Sequence, residues 1–419
     1  MFTKYASRVV HVDYQHGTVS RSFIESLRDH LPRPILPNVC SVRCIGTLEQ
    51  QDCILLSLFL GSALQDIDLP RLSHAQNAAS LLSDIGHSAP FLKSLTMNDN
   101  TEELDDNLIQ AISDLISQSR HLAKLDVEFY PRHTIAHIAR SAKLRVLKIN
   151  HLNGVVLESL DASSTISEMD LTTDECPLNF YRFLCTLCPC GLCELYLTVC
   201  DTSDSSSSVD GWKQCFDTLS VYCSSTLEHL HIDHQETFID VADWMTFRPL
   251  LTIRCLKTLL IQGFAYTLRD DDLEQMALAW PQLQSFRLLA YFATPPSPPR
   301  ITLSGITTLL KHCPMLQSLG LIFDARIIDT QVITEPTDVV CNRIIKVLDV
   351  GNSPINDTME VAKFLHGILP RLGDINTQYI DNLPHIRGLY SSQWGTVRQL
   401  LSTFQMETHR AARLGDTSD

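Results

Sequence analysis

One hydrophobic pattern returns along almost the whole chain: an apolar residue, two free positions, a second apolar residue, one free position and a third. Its clearest copies are Leu122-x-x-Leu125-x-Val127, Leu192-x-x-Leu195-x-Leu197, Leu227-x-x-Leu230-x-Ile232 and Leu316-x-x-Leu319-x-Leu321. Thirteen copies begin at Val39, Leu64, Leu92, Leu122, Leu144, Ile166, Leu192, Leu227, Leu256, Leu283, Leu316, Ile345 and Leu372. Each predicts a short strand whose first, fourth and sixth positions point inward while the third, fifth and seventh project outward. Between them lie segments with helical spacing: Ala78 to Ile85, Leu108 to Ile116, Phe180 to Leu187, Leu273 to Ala279, Leu309 and Leu310, and Val361 to Leu369. Pro37, Pro90, Pro281, Pro314 and Pro370 each stand two residues before the first apolar residue of a strand. Proline cannot extend a helix, so it ends one element and releases the chain into the next.

Successive copies start 22 to 35 residues apart, with a mean of about 28, against the roughly 20–29 of leucine-rich repeats. The predicted fold is therefore an α/β leucine-rich-repeat solenoid of about 13 irregular repeats, with a curved parallel sheet on its concave side and helices on its convex side. The ninth position, where tight repeats place Asn or Cys, matches only at Asn100 and Cys200. Repeats of variable length, rich in helix, are expected instead of a regular horseshoe. The solenoid is placed at 36–380, between an N-terminal capping segment at 1–35 and a C-terminal capping helix at 381–408. Phe23, Ile24, Leu27 and Leu31 mark the first cap; Trp394, Val397, Leu400, Leu401 and Phe404 mark the second. Residues 409–419 are expected to be a disordered tail.

Composition narrows the function. The 419 residues are 44% hydrophobic and 19% charged, enough apolar surface to fold most of the chain. A formal charge of −15 argues against a phosphate-backbone binder and against an anionic membrane surface, so neither nucleic acid nor membrane is expected as a partner. The start, Met1 to Arg8, has no apolar signal core, and the most apolar stretch, Cys53 to Leu64, is too short to span a bilayer. The 14 cysteines are accordingly read as reduced thiols of a soluble protein of the cytoplasm, the nucleus or both. Two loop insertions carry unusual compositions: the acidic, serine-rich run 201–210, and Ala293 to Arg300, which matches the extended PxxPxR ligand of SH3 grooves.

No phosphate-binding loop, dinucleotide fingerprint, nucleophile elbow, HExxH or kinase signature is present, and no catalytic residue and no cofactor are assigned. Two constellations could still bind metal. His229-Leu230-His231-Ile232-Asp233-His234 matches the HxHxDH pattern of metallo-β-lactamase-type hydrolases, and residues two apart on a strand project to one side. A metal-dependent hydrolase built on His229, His231, Asp233 and His234 is thus the alternative to a binding protein. Cys185-x2-Cys188-x-Cys190-x2-Cys193 is dense enough for zinc, but it straddles a helix end and a strand start, so no metal is assigned.

The outward strand positions carry Asp66, Asp68, Asp126, Glu128, Glu168, Asp170, Glu194, Asp233, Asp349 and Asp374 against Arg43, Lys124, Lys148 and Arg287. Complementary potential favours a protein partner with a basic surface or segment. The binding face is assigned to Asp126, Glu128, Glu168, Asp170, Glu194, Tyr196, His229, His231 and Asp233.

With strands and prolines placed, the chain resembles the leucine-rich-repeat region of fungal F-box proteins. Tyr5-Ala6-Ser7-Arg8-Val9, His312-Cys313-Pro314-Met315-Leu316-Gln317-Ser318-Leu319 and Ser392-Gln393-Trp394-Gly395-Thr396-Val397 carry the likeness. The resemblance implies a substrate-recognition subunit of an SCF-type ubiquitin ligase, non-enzymatic itself, whose repeats hold a substrate while an F-box grips the adaptor. Only Met1 to Lys4 precede the Tyr5 segment, where that family has its F-box. The expectation is either an F-box-less relative or a truncated gene model, with the adaptor and cullin as partners if an F-box lies upstream.

Overall fold

A computed structural model describes residues 5–15, 17, 19–31, 33–70, 72, 77–97, 106–127, 138, 141–150, 152, 164–173, 177–200, 209–235, 241–290, 298–328, 340–377 and 390–415. The chain forms two compact units, Met1–Thr173 with Arg182–Leu192, and Asp174–Tyr181 with Cys193–Asp419.

The first unit alternates strands β1 (His11–Gln15), β2 (Ser41–Ile45), β3 (Asp66–Leu69), β4 (Ser94–Met97), β5 (Lys124–Val127), β6 (Val146–Ile149) and β7 (Glu168–Thr173) with helices α1 (Arg21–His30), α2 (Gln50–Ser57), α3 (Ala78–Ser88) and α4 (Asp106–Gln118). The strands pair in chain order and in parallel. Helix α5 (Pro177–Leu187) is divided between the units.

In the second unit the strands are β8 (Glu194–Val199), β9 (His229–His234), β10 (Val241–Ala242), β11 (Thr258–Gln262), β12 (Ala265–Tyr266), β13 (Ser285–Leu289), β14 (Ser318–Leu321), β15 (Val347–Asp349) and β16 (Asp374–Asn376). Its helices are α6 (Val209–Tyr222), α7 (Trp244–Phe247), α8 (Asp270–Ala279), α9 (Leu303–His312), α10 (Thr358–Ile368) and α11 (Ser391–Gly415). β10 and β12 form a separate pair, and the others make a parallel sheet in chain order. The fold is thus α/β, a leucine-rich-repeat-type stack.

All thirteen expected strands are present, and each begins two residues after its first apolar residue. A recurring hydrogen-bond pattern explains the offset. The Gln65 carbonyl accepts from the amides of Lys93 and Ser94, that of Lys93 from Ala123 and Lys124, and that of Ala123 from Arg145 and Val146. Glu228, Lys257 and Gln284 repeat the arrangement in the second unit. One carbonyl per repeat thus gathers two amides of the next, and the leading apolar residue packs inward just before the strand. In most strands side chains alternate between fully buried and half-exposed, which sets the core on one face.

The prolines act as expected at four junctions. α3, α8, α9 and α10 each end two residues before Pro90, Pro281, Pro314 or Pro370. The residue between adopts a non-helical conformation each time: Ala89, Trp280, Cys313 and Leu369 have φ between −116° and −130° and ψ between 61° and 69°. Pro37 instead lies in a turn well beyond the end of α1. Cys188, before Pro189, departs from this geometry with φ 40°.

Both ends differ from expectation. Strand β1, inside the expected capping segment, extends the sheet of the first unit by one strand, to seven among the described residues. Tyr14 of β1 is buried and donates its hydroxyl to Asp52 of α2, whose other carboxylate oxygen accepts from the Glu49 amide at 2.7 Å. This network fixes the strand to the adjacent repeat. At the other end α11 runs to Gly415, past the expected boundary at 408 and into the segment expected to be disordered. Glu407, Arg410, Ala411, Ala412, Arg413 and Leu414 include no helix breaker, so nothing in the sequence stops the helix there. Trp394 of α11 is buried and donates its indole N–H to the Ser353 carbonyl at 2.8 Å. Most of the 201–210 insertion and the greater part of the proline-rich segment, 293–297, lie outside the described residues.

Candidate outward binding face

In the first unit, register places Asp13, Arg43, Asp68, Thr96, Asp126, Lys148 and Asp170 in one row across seven strands. The row is laced by ion pairs. Arg43 lies 3.6 Å from Asp68 and Lys124 lies 3.7 Å from Asp126. Lys148 reaches Glu168 at 3.6 Å and Asp170 at 3.2 Å. Burial raises the carboxyls of Asp68 and Asp126 above their ordinary values against the opposing pull of these cations. Burial pulls Lys148 down, but its hydrogen bond to Asp170 and the charges of Asp170, Glu168 and Asp126 outweigh that, and its ammonium is held above its usual range. Half-exposed pairs of this kind contribute only about 0–1 kcal/mol each. Their effect is to hold each cation of the face against a carboxylate, while six carboxylates, Asp13, Asp66, Asp68, Asp126, Glu168 and Asp170, stand against Arg43, Lys124 and Lys148. Glu128 lies outside the described residues.

The second unit presents a different surface. Glu194, His229, Thr258 and Ser285 form one outward row, Tyr196, His231, Leu260, Arg287, Gly320, Asp349 and Asn376 a second, and Thr198, Asp233 and Gln262 a third. Tyr196 and His231 stack with ring centroids 4.5 Å apart, beside the outward, half-buried Leu260. Tyr196 donates its hydroxyl to Glu194 at 3.3 Å, and His229 Nδ1 lies 3.0 Å from Thr258 Oγ1. Burial, helped by the neighbouring His229, lowers the His231 pKa, against the opposing pull of Glu194. His231 is therefore a neutral, aromatic contact surface at physiological pH.

Asp349 was expected among the outward acids, yet it is buried and neutralised. Arg287 reaches it at 2.9 Å, and Asn376 donates to it at 2.6 Å. Gly320 makes this possible, because a Cβ there would come within 3.0 Å of Arg287 Cγ and 3.2 Å of Asp349 Cβ. Asp374 likewise pairs at 3.1 Å with Arg398 of α11, a cation that strand periodicity alone does not reveal.

The two metal-type constellations are not assembled. His229, His231 and Asp233 share the outward face of β9, but His234 falls on the opposite face, buried between Trp212 and Phe264. A period of two forces this, since 233 and 234 are consecutive. Cys188 donates its thiol to the Cys185 carbonyl at 3.0 Å, Cys190 is exposed beyond the helix end, and Cys193 opens the entry to β8. Among the described residues no group of three or more His, Cys, Asp or Glu side chains is placed to hold a metal ion. No described helix is long and apolar enough to cross a membrane.

The outward rows and the strand–helix stacking define an α/β repeat protein of leucine-rich-repeat type. No family model and no curated protein matches the chain. Among solved structures it is similar to the crystal structure of the Rad7 and Elc1 complex in yeast, at 14% identity and a TM-score of 0.38, covering 89% of this chain and 88% of that one.

Proposed function

We propose that this chain is a non-enzymatic protein-interaction scaffold that recognises its partner by complementarity along the outward face of its strands, in the cytoplasm or the nucleus. The observation that carries the reading is the alternation itself. Strand after strand buries one set of side chains and leaves register-aligned rows of half-exposed polar, charged and aromatic ones. Such rows offer a wide, graded contact surface instead of one enclosed pocket, as protein recognition requires. Within this reading the chain is a substrate receptor of an SCF-type ligase or an F-box-less relative of one. The resemblance at Tyr5 to Val9, His312 to Leu319 and Ser392 to Val397 supports that assignment. The alternative, a hydrolase centred on His229, His231, Asp233 and His234, is disfavoured by the position of His234 on the far side of its strand.

The test is capture by the tagged full chain from its own cells, comparing wild type with Tyr196→Ala and Leu260→Asp variants of unchanged circular dichroism. Protein partners retained by the wild type and lost by the variants are expected. Adaptor and cullin among them would support ligase docking, and their absence would leave a scaffold alone. Stoichiometric zinc, removed by chelation together with a hydrolytic activity, would overturn the scaffold reading.

A further inference from the structure

The scaffold reading leaves open where on the outward face recognition is concentrated and what chemistry it selects; the inference that follows rests on that reading. In the first unit the cations of the outward face are already engaged: each of Arg43, Lys124 and Lys148 faces a carboxylate of a neighbouring or the same strand. A partner docking there must displace existing ion pairs for new ones of similar worth. The second unit instead holds a contiguous apolar and aromatic row, Tyr196, His231 and Leu260, on three adjacent strands. Half-buried aromatic and aliphatic side chains are the groups whose further desolvation yields affinity.

Charge around that row is one-sided. Glu194, Asp233 and Asp349 stand against Arg287, three carboxylates to one cation. Arg287 and Asp349 hold each other, and Lys257 holds Glu228 at 2.5 Å. Among the described residues no Lys or Arg forms an ion pair with Glu194, whose carboxylate accepts from Tyr196. Glu194 and Asp233 sit on opposite sides of His231 along the strand direction, on neighbouring strands in register. Four residue steps separate their rows, about 13 Å at ~3.3 Å per residue. An extended peptide places side chains of positions i and i+4 the same distance apart, and position i+2 between them on the same face.

We infer that the β8–β9–β11 patch binds an extended basic segment in which an apolar residue lies on Tyr196, His231 and Leu260 while two basic residues, four positions apart, reach Glu194 and Asp233. Among the described residues the charged and titratable groups around the patch are Glu194 on β8, His229 and Asp233 on β9, Glu228 paired with Lys257 at the strand entries, and Arg287 of β13 paired with Asp349. Burial lowers the His231 pKa, and protonation of its imidazole in acidic solution adds positive charge beneath the segment, so binding weakens as pH falls. Salt weakens it as well, since the ion pairs are half-exposed.

The probe is a library of seven-residue peptides, presented to the immobilised full chain at low salt and pH 7.5. Its positions two and six are Lys, Ser or Glu, and its position four is Leu, Phe or Ser. Enrichment of Lys at both flanking positions and of Leu or Phe between them is expected. Each of Glu194→Gln and Asp233→Asn, which preserve shape, should lower affinity about fivefold, the Coulomb value for one exposed pair at contact distance. Leu260→Asp should abolish selection at the central position, and lowering the pH to 5.5 should weaken binding of the Lys peptides alone. Absence of enrichment overturns the inference, and so does enrichment unchanged in the Glu194→Gln, Asp233→Asn double variant. If selection persists there but is lost in an Asp126→Asn, Asp170→Asn variant, the inference fails while the scaffold reading stands. The reading itself falls only with the capture experiment.

Discussion

Replacing Gly263 by alanine should destabilise the second unit more than any other single methyl group considered. Gly263 follows β11 with φ +86°, and its amide donates to the Leu289 carbonyl at 2.8 Å. A Cβ there would lie 2.0 Å from the His234 carbonyl oxygen and 2.9 Å from the carbonyl carbon. These are backbone atoms at the end of β9, so no side-chain rotation relieves the overlap. An L-residue in the left-handed region costs about 1–2 kcal/mol. A methyl forced into filled space adds about 1–3 kcal/mol. The stiffer unfolded chain offsets about 0.4–1 kcal/mol of this. The expected loss is about 3 kcal/mol. With a urea slope near 3 kcal/mol/M the midpoint should fall by about 1 M. All four tryptophans, Trp212, Trp244, Trp280 and Trp394, belong to this unit, so their fluorescence reports its unfolding selectively. Gly367→Ala in α10 is the matched control. Nothing lies within 4 Å of its Cβ site, and alanine there should gain about 0.5–1 kcal/mol. A Gly263→Ala midpoint within error of the wild type would refute the close approach of the two chain segments.

Gly305→Ala should cost about 1–3 kcal/mol in the same assay, since its Cβ would meet Asp270 Oδ1, a carboxylate fixed by the amide and hydroxyl of Thr302 at 2.7 and 2.6 Å. Trp394→Phe should cost about 1–3 kcal/mol by leaving the buried Ser353 carbonyl without the indole donor, and should lower the thermal midpoint without changing the far-ultraviolet spectrum. Because burial lowers the His231 pKa, the unfolded chain binds more protons just below the ordinary value of 6.5. Stability should therefore fall as pH drops through that region, and His231→Asn should flatten the slope measured by urea titration between pH 5 and 7. Burial pushes the Cys44 and Cys313 thiols up to about 12 and Cys53 to about 11, so iodoacetamide at pH 8 should label exposed Cys190 and Cys341 first and spare those three until urea unfolds the chain.

The strands were legible because each must present inward side chains at fixed spacing, and a burial requirement of that kind is written into residue identity. The helix ends were legible because proline enforces them locally. Strand β1 escaped the reading although Val9-x-x-Val12-x-Tyr14 has the same spacing, 30 residues before Val39. Its sixth position is a tyrosine, whose hydroxyl needs Asp52 of a later element before the ring can be buried. The helix α11 runs on to Gly415, into the expected tail, because Arg and Glu in an alanine-containing run favour helix.

The outward face was the harder part, and the reason is physical. Counting strand positions assigns a charge to a face but not to a partner, and a Lys or Arg side chain is long enough to cross from one strand to the next, about 4.8 Å away. Lys148 therefore neutralises carboxylates of β7, and Arg287 passes over Gly320 to one on β15, two strands distant. That second reach requires three facts together: an arginine, a missing Cβ on the intervening strand, and an exact register. None is local to one repeat. The aromatic row arises the same way, since Tyr196, His231 and Leu260 are unremarkable singly, 35 and 29 residues apart, and become a surface only when β8, β9 and β11 align. A binding face of a repeat protein is thus a property of register between repeats, and substitutions that shift register without touching the face, Gly263→Ala among them, should weaken partner capture along with stability.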